Sequence, residues 1–463
     1  METNTTICAI ATSPGNGAIA VIRLSGKDAV SITDKLFRSP SDKKLSKQLP
    51  NTIHFGSIYF NNKLIDEVLV SLFKAPHSYT GEDVVEISCH GSVFIQQQLL
   101  QALTESGATL AQPGEFTLRA FMNGKMDLSQ AEGVADLIAS ESDAAHKMAM
   151  NQMRGGFSLE IGKLRSQLLN LCSLLELELD FSEEDVEFAN RTDLKHLVNE
   201  IERVIKHLTD SFSLGNVIKT GVPVAIVGKP NVGKSTLLNT LLQEEKALVS
   251  EIAGTTRDSI EDVINIKGIR FRFIDTAGIR HTTDTIESLG IERTFSKISL
   301  ASVILLIADA VCTRDEIQQQ IEELKLTSDQ HLIVVINKID LYNKTEVEQR
   351  LGGSNILNRY PVLFLSAKHH LYTDQLHELL LDTVQSQAMQ TSDVVVSNTR
   401  HYEALKNALE ASHRASAGLE TGLPSDLIAQ DIREILFYLG QITGEITTDE
   451  ILGNIFKNFC IGK

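Results

Sequence analysis

Hydrophobic and polar positions follow three different rhythms along the chain. Up to about residue 120, short apolar runs rich in β-branched residues alternate with turn-forming pairs, as in "TICAIATSPGNGAIAVIRLSG", "HFGSIYFNNKLIDEVLVSLF" and "DVVEISCHGS". Asn-Gly, Pro-Gly and Asn-Asn between such runs predict the hairpins of an α+β domain. The run "SVFIQQQLLQALTESG" predicts a helix stopped by Gly107. Between 125 and 215 the period lengthens. Phe157, Ile161, Leu164, Leu168, Leu171 and Leu175 recur at helical spacing, as do Leu197, Ile201, Val204, Ile205 and Leu208, and no proline interrupts between Pro113 and Pro223. These are amphipathic helices. The period returns with Tyr402, Leu405 and Leu409, then Ile428, Ile432, Ile435, Leu436 and Leu439. Neither stretch can bury its stripe alone, so the two are expected to pack as one discontinuous all-α domain. Between them "VPVAIV", "IRFRFID", "VILLIA", "LIVVI" and "VLFL" alternate with helical segments. Short, continuously apolar strands of this kind predict a parallel sheet covered on both faces. The expected organisation is multidomain: an α+β domain over 1–120, helical parts over 121–218 and 385–463, and an inserted α/β block over 219–384.

Composition narrows the class. A chain of 463 residues with 42% hydrophobic and 22% charged residues reads as globular, with about three domains. No apolar run approaches the roughly 20 residues of a membrane span, and the N-terminus lacks the basic region of a secretory signal. Five scattered cysteines, Cys8, Cys89, Cys172, Cys312 and Cys460, argue for a reducing, cytoplasmic setting and no disulfide framework. The first four read as buried small apolar residues, and His90 as a strand-end hydrogen-bonding group. The net charge of −17, concentrated in "ELELDFSEEDVEF" (176–188), repels nucleic acid, so any RNA contact needs a local basic patch or a partner.

The chemistry is densest in the inserted block. "GKPNVGKS" (228–235) follows a strand and opens a helix. The glycines let backbone N–H groups face phosphate, Lys234 reaches the terminal phosphates, and Ser235 offers a hydroxyl to Mg²⁺. "NKID" (337–340) places Asp340 to accept from guanine's ring N–H and exocyclic amine, with Asn337 on the other edge and Lys338 along the loop; "SAK" (Ser366, Ala367, Lys368) supplies a backbone contact to the base oxygen. "DTAG" (275–278) offers Asp275 to Mg²⁺ through water and the Gly278 N–H to the γ-phosphate, and "GTTRD" (254–258) offers Thr256 as a second Mg²⁺ ligand. The motifs offer for GTP contact Asn231, Val232, Gly233, Lys234, Ser235 and Thr236; Gly254, Thr255 and Thr256; Asp275, Thr276, Ala277 and Gly278; and Asn337, Lys338, Asp340, Ser366, Ala367 and Lys368. Ile279 stands where Ras-like GTPases carry a water-orienting glutamine. Two other devices are available: Glu287, as a water-positioning carboxylate or merely a solvated helix charge, and Asn231, which could hold a monovalent cation beside the phosphates.

These motifs, with "SYTGEDVVEISCHG" (78–91), "PGEFTLRAFMNGKMDLSQAEGVADLI" (113–138) and the terminal "CIGK", resemble the MnmE (TrmE) family of tRNA-modification GTPases over essentially the whole chain. The resemblance implies an N-terminal folate-binding domain that dimerises, and a flavin-dependent partner, MnmG, that joins the homodimer in a heterotetramer. It implies installation of an aminomethyl or carboxymethylaminomethyl group at C5 of the tRNA wobble uridine, with the one-carbon unit from 5-formyltetrahydrofolate or a related tetrahydrofolate. GTP hydrolysis would be stimulated by K⁺. Carried over by position, folate contacts would be Arg23, Glu86, Lys125 and Lys463; further GTP contacts Ser250, Glu251, Ile252 and Ala253; K⁺ ligands Asn231, Ser250, Ile252 and Thr255; Mg²⁺ ligands Ser235 and Thr256; and catalytic residues Glu287 and Cys460. Cys460 is a poor match to a prenylation box, because Gly462 and Lys463 fill its last two places. A structural or redox role for this thiol stays open beside a nucleophilic one. A GTPase switch or ribosome assembly factor, doing no chemistry on RNA, is the alternative.

Overall fold

The computed structural model describes residues 5–180, 191–248, 262–274, 301–327, 330–351, 359–388, 395–457, 459 and 462. The chain divides into two compact units, one formed by 1–139, 149–202 and 407–463, the other by 140–148 and 203–406.

The first unit is built on a seven-stranded sheet. Its strands are β1 (Ile7–Ile10), β2 (Ile19–Ser25), β3 (Phe37–Arg38), β4 (Thr52–Phe60), β5 (Lys63–Phe73), β6 (Val84–His90) and β7 (Thr109–Leu110), in the order β3-β4-β5-β6-β2-β1-β7. β4 and β5 form the hairpin predicted at Asn61-Asn62. Both asparagines take the positive φ that a two-residue hairpin turn demands (49° and 60°). The helices Ala29–Leu36 and Val93–Glu105 contribute Ile32, Leu36, Leu99 and Leu103 to one core with Ile22, Leu24, Val70, Leu72 and Ile87 of the sheet. Leu45, in a 3-10 turn over Leu45–Lys47, is buried in the same core.

The helical part of this unit behaves as its periodicity predicts. Phe157, Ile161, Leu164, Leu168, Leu171 and Leu175 of the helix Gly156–Asp180 are all buried. That helix lies along Ser425–Thr443, whose Ile428, Ile432, Ile435 and Leu439 are buried. Arg165 stitches the pair, donating to the Leu436 carbonyl at 2.9 Å and pairing with Glu445. The stripe of Arg191–Asp210 is rotated from its expected position. Leu194, Val198, Ile201, Ile205 and Leu208 are buried, while Leu197 and Val204 are half-buried. In Thr399–Thr421 the buried line is mostly alanine (Ala404, Ala408, Ala411, Ala415), a line that hydrophobic size does not pick out.

The second unit carries a six-stranded sheet of β8 (Val222–Val227), β9 (Asp262–Ile266), β10 (Ile269–Phe273), β11 (Val303–Asp309), β12 (His331–Asn337) and β13 (Val362–Phe364), in the order β13-β12-β11-β8-β10-β9. All neighbouring pairs are parallel except β9–β10. The five strands expected from the sequence, β8, β10, β11, β12 and β13, pair in parallel as expected, and β9 was not among them. The two-residue turn Lys267-Gly268, with φ of 48° and 85°, forces β9 back antiparallel and makes it an edge. Apolar residues cover both faces, with Val224, Ile226, Leu305 and Val335 on one side and Ala225, Ile304, Leu306 and Val334 on the other. The four cysteines Cys8, Cys89, Cys172 and Cys312 are free and buried.

Candidate functional site

β8 delivers the chain into the Gly-rich loop, and the helix Lys234–Leu248 leaves it. Two glycines are required by close approach. A Cβ on Gly228 (φ 147°) would lie 2.2 Å from the Ile307 carbonyl oxygen, and one on Gly233 (φ 99°) 2.3 Å from Asn337 Nδ2. Lys234 Nζ donates to the Gly228 and Lys229 carbonyls at 2.7 and 2.8 Å. Burial lowers its pKa from the ordinary lysine value, so a phosphate arriving there would relieve an under-compensated ammonium. Ser235 is half-buried and Thr236 exposed in the first helical turn.

The guanine loop begins where β12 ends. Asn337 is buried, donates from Nδ2 to the Val232 carbonyl (2.9 Å), and accepts at Oδ1 from the Lys338 and Ala367 N–H groups (2.8 and 3.0 Å). Asn337 thereby braces the phosphate loop and the turn at Ala367, with one amide hydrogen left over among the described residues. Lys338 takes a left-handed backbone (φ 67°), and its Nζ donates to the Asn231 carbonyl (2.8 Å) and pairs with Asp309 Oδ2 (2.6 Å). Asn231, at φ 61°, is thus clamped by its carbonyl. Asp340 accepts from Ser366 Oγ and lies 3.5 Å from His369 Nε2. The Ser366 hydrogen bond holds its pKa below the usual carboxylate value, keeping it an ionised acceptor. Lys368 lies on the short turn Ala367–His369, and Thr240 Oγ1 fastens that turn through the Ala367 carbonyl at 2.9 Å. Asp309 was missed by the sequence reading; its only local signal is an acid closing an apolar strand.

A second constellation sits in the first unit. Arg23 on β2 and Glu86 on β6 are cross-strand partners, with Arg23 Nε and Nη2 reaching Glu86 Oε1 at 2.9 and 2.8 Å. The guanidinium lies over the rings of Tyr79 and Phe116. Its Nη1 donates to the Gly462 carbonyl at 3.4 Å. Gly462 is buried at φ 93°, and a Cβ there would lie 2.2 Å from the Ile10 carbonyl oxygen. Gly462 therefore lies against the β1 end beside Arg23. Lys125 is exposed, donates to the Pro76 carbonyl at 3.0 Å, and lays its stem near Gly81. Arg23 and Lys125 thus both meet the 76–81 segment. Behind it a buried Arg119 binds Glu82, Glu115 and the Thr5 carbonyl, and Ser25 binds Thr80 and Glu82. His90 pairs with Asp66 through Nδ1 at 2.7 Å.

Ser250, Glu251, Ile252, Ala253, Gly254, Thr255, Thr256, Asp275, Thr276, Ala277, Gly278, Glu287, Cys460 and Lys463 lie outside the described residues. Of the Mg²⁺ and K⁺ ligands, only Ser235 and Asn231 can be placed.

Comparison with known proteins agrees with this geometry. Residues 6–125 match the family model described as "GTP-binding protein TrmE N-terminus", and residues 128–460 match "MnmE helical domain", a range that encloses the α/β block. A protein of Bacteroides thetaiotaomicron named "tRNA modification GTPase MnmE" is 56% identical, covering 99% of both chains. Proteins of the same name from Flavobacterium johnsoniae and Christiangramia forsetii are each 55% identical, covering 99% and 100% of both chains. With its phosphate loop, its guanine loop and full-length similarity to these relatives, the chain belongs to the MnmE family of tRNA modification GTPases.

Proposed function

We infer that the chain is a K⁺-stimulated GTPase that acts on tRNA with a flavin-dependent MnmG partner, as a homodimer within a heterotetramer. It installs an aminomethyl or carboxymethylaminomethyl group at C5 of the wobble uridine, using a one-carbon unit from 5-formyltetrahydrofolate or a related tetrahydrofolate. GTPase activity in tRNA modification is what the relatives' names record. One observation carries the finer reading: the Gly462 carbonyl accepts from Arg23 of the Arg23–Glu86 pair.

The residues fit a folate. Glu86 keeps Oε2 without a protein partner among the described residues, an acceptor for the donor edge of a pteridine. Arg23, Lys125 and Lys463 supply cations for its carboxylates. Cys460 is assigned as the thiol that, as a thiolate adding to C6 of uracil, would raise the nucleophilicity of C5. In the second unit Lys234 and the loop N–H groups would hold phosphates, Ser235 and Thr256 would hold Mg²⁺, and Asn231, Ser250, Ile252 and Thr255 would hold K⁺. These cations supply positive charge at the transferring phosphoryl group. Glu287 is assigned to position water. The homodimer reading is supported by an exposed apolar strip on the β4–β5 hairpin, where Ile53 and the directly paired Phe55 and Leu69 face outward.

The test is mass spectrometry of wobble nucleosides in tRNA from cells lacking this chain, complemented with wild type or Cys460→Ser. Restoration by wild type alone is expected. Unchanged tRNA on loss of the chain would replace this reading with a GTPase switch that does no chemistry on RNA.

A further inference from the structure

An acidic chain that works on tRNA must meet phosphate somewhere, and the cations of the first 120 residues are not spread evenly. Six of the ten lysines and arginines in that stretch fall between Lys27 and Lys47, against three acids, Asp28, Asp34 and Asp42. The fold gathers this segment at one edge of the seven-stranded sheet. β3 is the edge strand, the helix Ala29–Leu36 precedes it, and the 39–48 loop follows.

The loop is pinned from below. Leu45 is buried, and both carboxylate oxygens of Asp34 accept backbone N–H groups, from Leu45 at 2.6 Å and Ser46 at 3.0 Å. Asp34 is thus committed to holding the loop. Lys74 closes the other end by donating to the Gln48 carbonyl at 3.2 Å. Lys35, Arg38, Lys43, Lys44 and Lys47 are exposed, and none is paired with a carboxylate among the described residues. Lys44 caps and Lys47 ends the 3-10 turn Leu45–Lys47 that the buried Leu45 holds in place. Arg38 places its guanidinium over the Tyr59 ring, Cζ 4.5 Å from the centroid, which fixes this cation on the edge. Of the three acids, Asp42 is exposed beside Lys43 and Asp28 is exposed at the start of the helix. The edge as a whole stays net positive on a chain of net charge −17.

We propose that this edge, formed by Arg38, Lys43, Lys44 and Lys47, is the surface on which the chain takes the phosphate backbone of its tRNA. The proposal rests on the tRNA reading above. It adds where the RNA is held: rigidly anchored cations on a local basic edge overcome long-range repulsion because counterion release is a contact-range gain.

The experiment measures binding of a fluorescent tRNA transcript to the full-length chain over a series of KCl concentrations. It compares wild type, the triple variant Lys43→Glu/Lys44→Glu/Lys47→Glu, and a control triple, Lys147→Glu/Lys163→Glu/Lys195→Glu. The control lysines, Lys147 and Lys163 exposed and Lys195 half-buried, are already paired with Asp143, Glu160 and Glu420, and the change in net charge is the same. The basic-edge variant is expected to bind at least about 10-fold more weakly near 0.1 M salt. The slope of log K against log salt should fall by about two to three, roughly one per lost phosphate contact. GTP hydrolysis and melting temperature should be unchanged. If that variant melts early, Lys43→Gln/Lys44→Gln/Lys47→Gln replaces it, with a smaller loss expected in the same direction. Equal weakening by both triples would mean net charge alone matters and would overturn the proposal. So would undiminished tRNA binding by the basic-edge variant; both outcomes leave the tRNA reading intact. Failure of wild type to bind tRNA overturns the proposal, and unchanged wobble nucleosides on loss of the chain would remove the reading beneath it as well.

Discussion

Lys338 holds a left-handed backbone at φ 67°, a conformation that residues with side chains adopt at some cost, and its ammonium is held by Asp309 and the Asn231 carbonyl. Asp309→Asn keeps the shape and removes the charge. It is expected to weaken GTP binding by about 10-fold, the size of one charge-assisted hydrogen bond, while the melting temperature of the nucleotide-free chain moves little; fluorescent-nucleotide titration checks this. The buried thiols make a separate prediction. Burial pushes Cys8 and Cys89 from 9.0 up to about 11. At pH 8 only about one thiol in a thousand is then ionised. Iodoacetamide at that pH should spare both in the native chain, as read by peptide mass spectrometry. The sign for stability follows from the same shift. The raised folded value favours the native state fully below pH 9, and that contribution is lost as pH rises from 9 toward 11. At this scale the glycine and lysine spacing of the phosphate loop was legible, because local backbone geometry dictates it. Asp309, Tyr79 and Phe116 were not, because their roles come from strands and rings brought together across long stretches of chain.

Among elements, the seam between Gly156–Asp180 and Ser425–Thr443 is the one most plainly written in the pattern. Ile161 is fully buried in the helix Gly156–Asp180, and Ile161→Ala is expected to cost about 2–4 kcal/mol by removing a buried side chain and leaving a cavity. A lowered urea midpoint at unchanged slope would show it. The period said which face of each helix is apolar, but not the phase of Arg191–Asp210, where Leu194 and Val198 displaced Leu197 and Val204 from the centre of the stripe. Phase depends on what the helix packs against, and periodicity carries no partner information. β9 escaped for a related reason. A five-residue edge strand with alternating burial gives a weak signal next to the continuous apolar runs of the central strands.

For the whole molecule, the K⁺ reading makes the broadest prediction. Hydrolysis is expected to be several-fold faster in K⁺ than in Na⁺ at equal ionic strength, and Asn231→Ala should remove the difference while GTP still binds. Equal wild-type rates in the two salts would count against the assigned ligand set of Asn231, Ser250, Ile252 and Thr255. Charge at this scale was legible as a total, and a local basic patch was anticipated as a need. Its place was not, since it depends on Asp34 and Leu45 fixing a loop whose sequence alone reads as a solvated run.

The brace from Asn337 and Lys338 to the backbone of Val232 and Asn231 joins the two ends of the nucleotide site through side chains alone. A ligand that fails at one end should therefore be felt at the other. Inosine triphosphate lacks the exocyclic amine assigned to Asp340, GDP lacks the terminal phosphate, and inosine diphosphate lacks both. Were the ends independent, the losses in affinity would add. With the brace in place the doubly deficient ligand should depart from that sum, and removing its Lys338 arm with Lys338→Met should bring the losses closer to additivity. Base identity and phosphate number would then be sensed as one quantity, and dissociation of the spent nucleotide would begin wherever either grip loosens first.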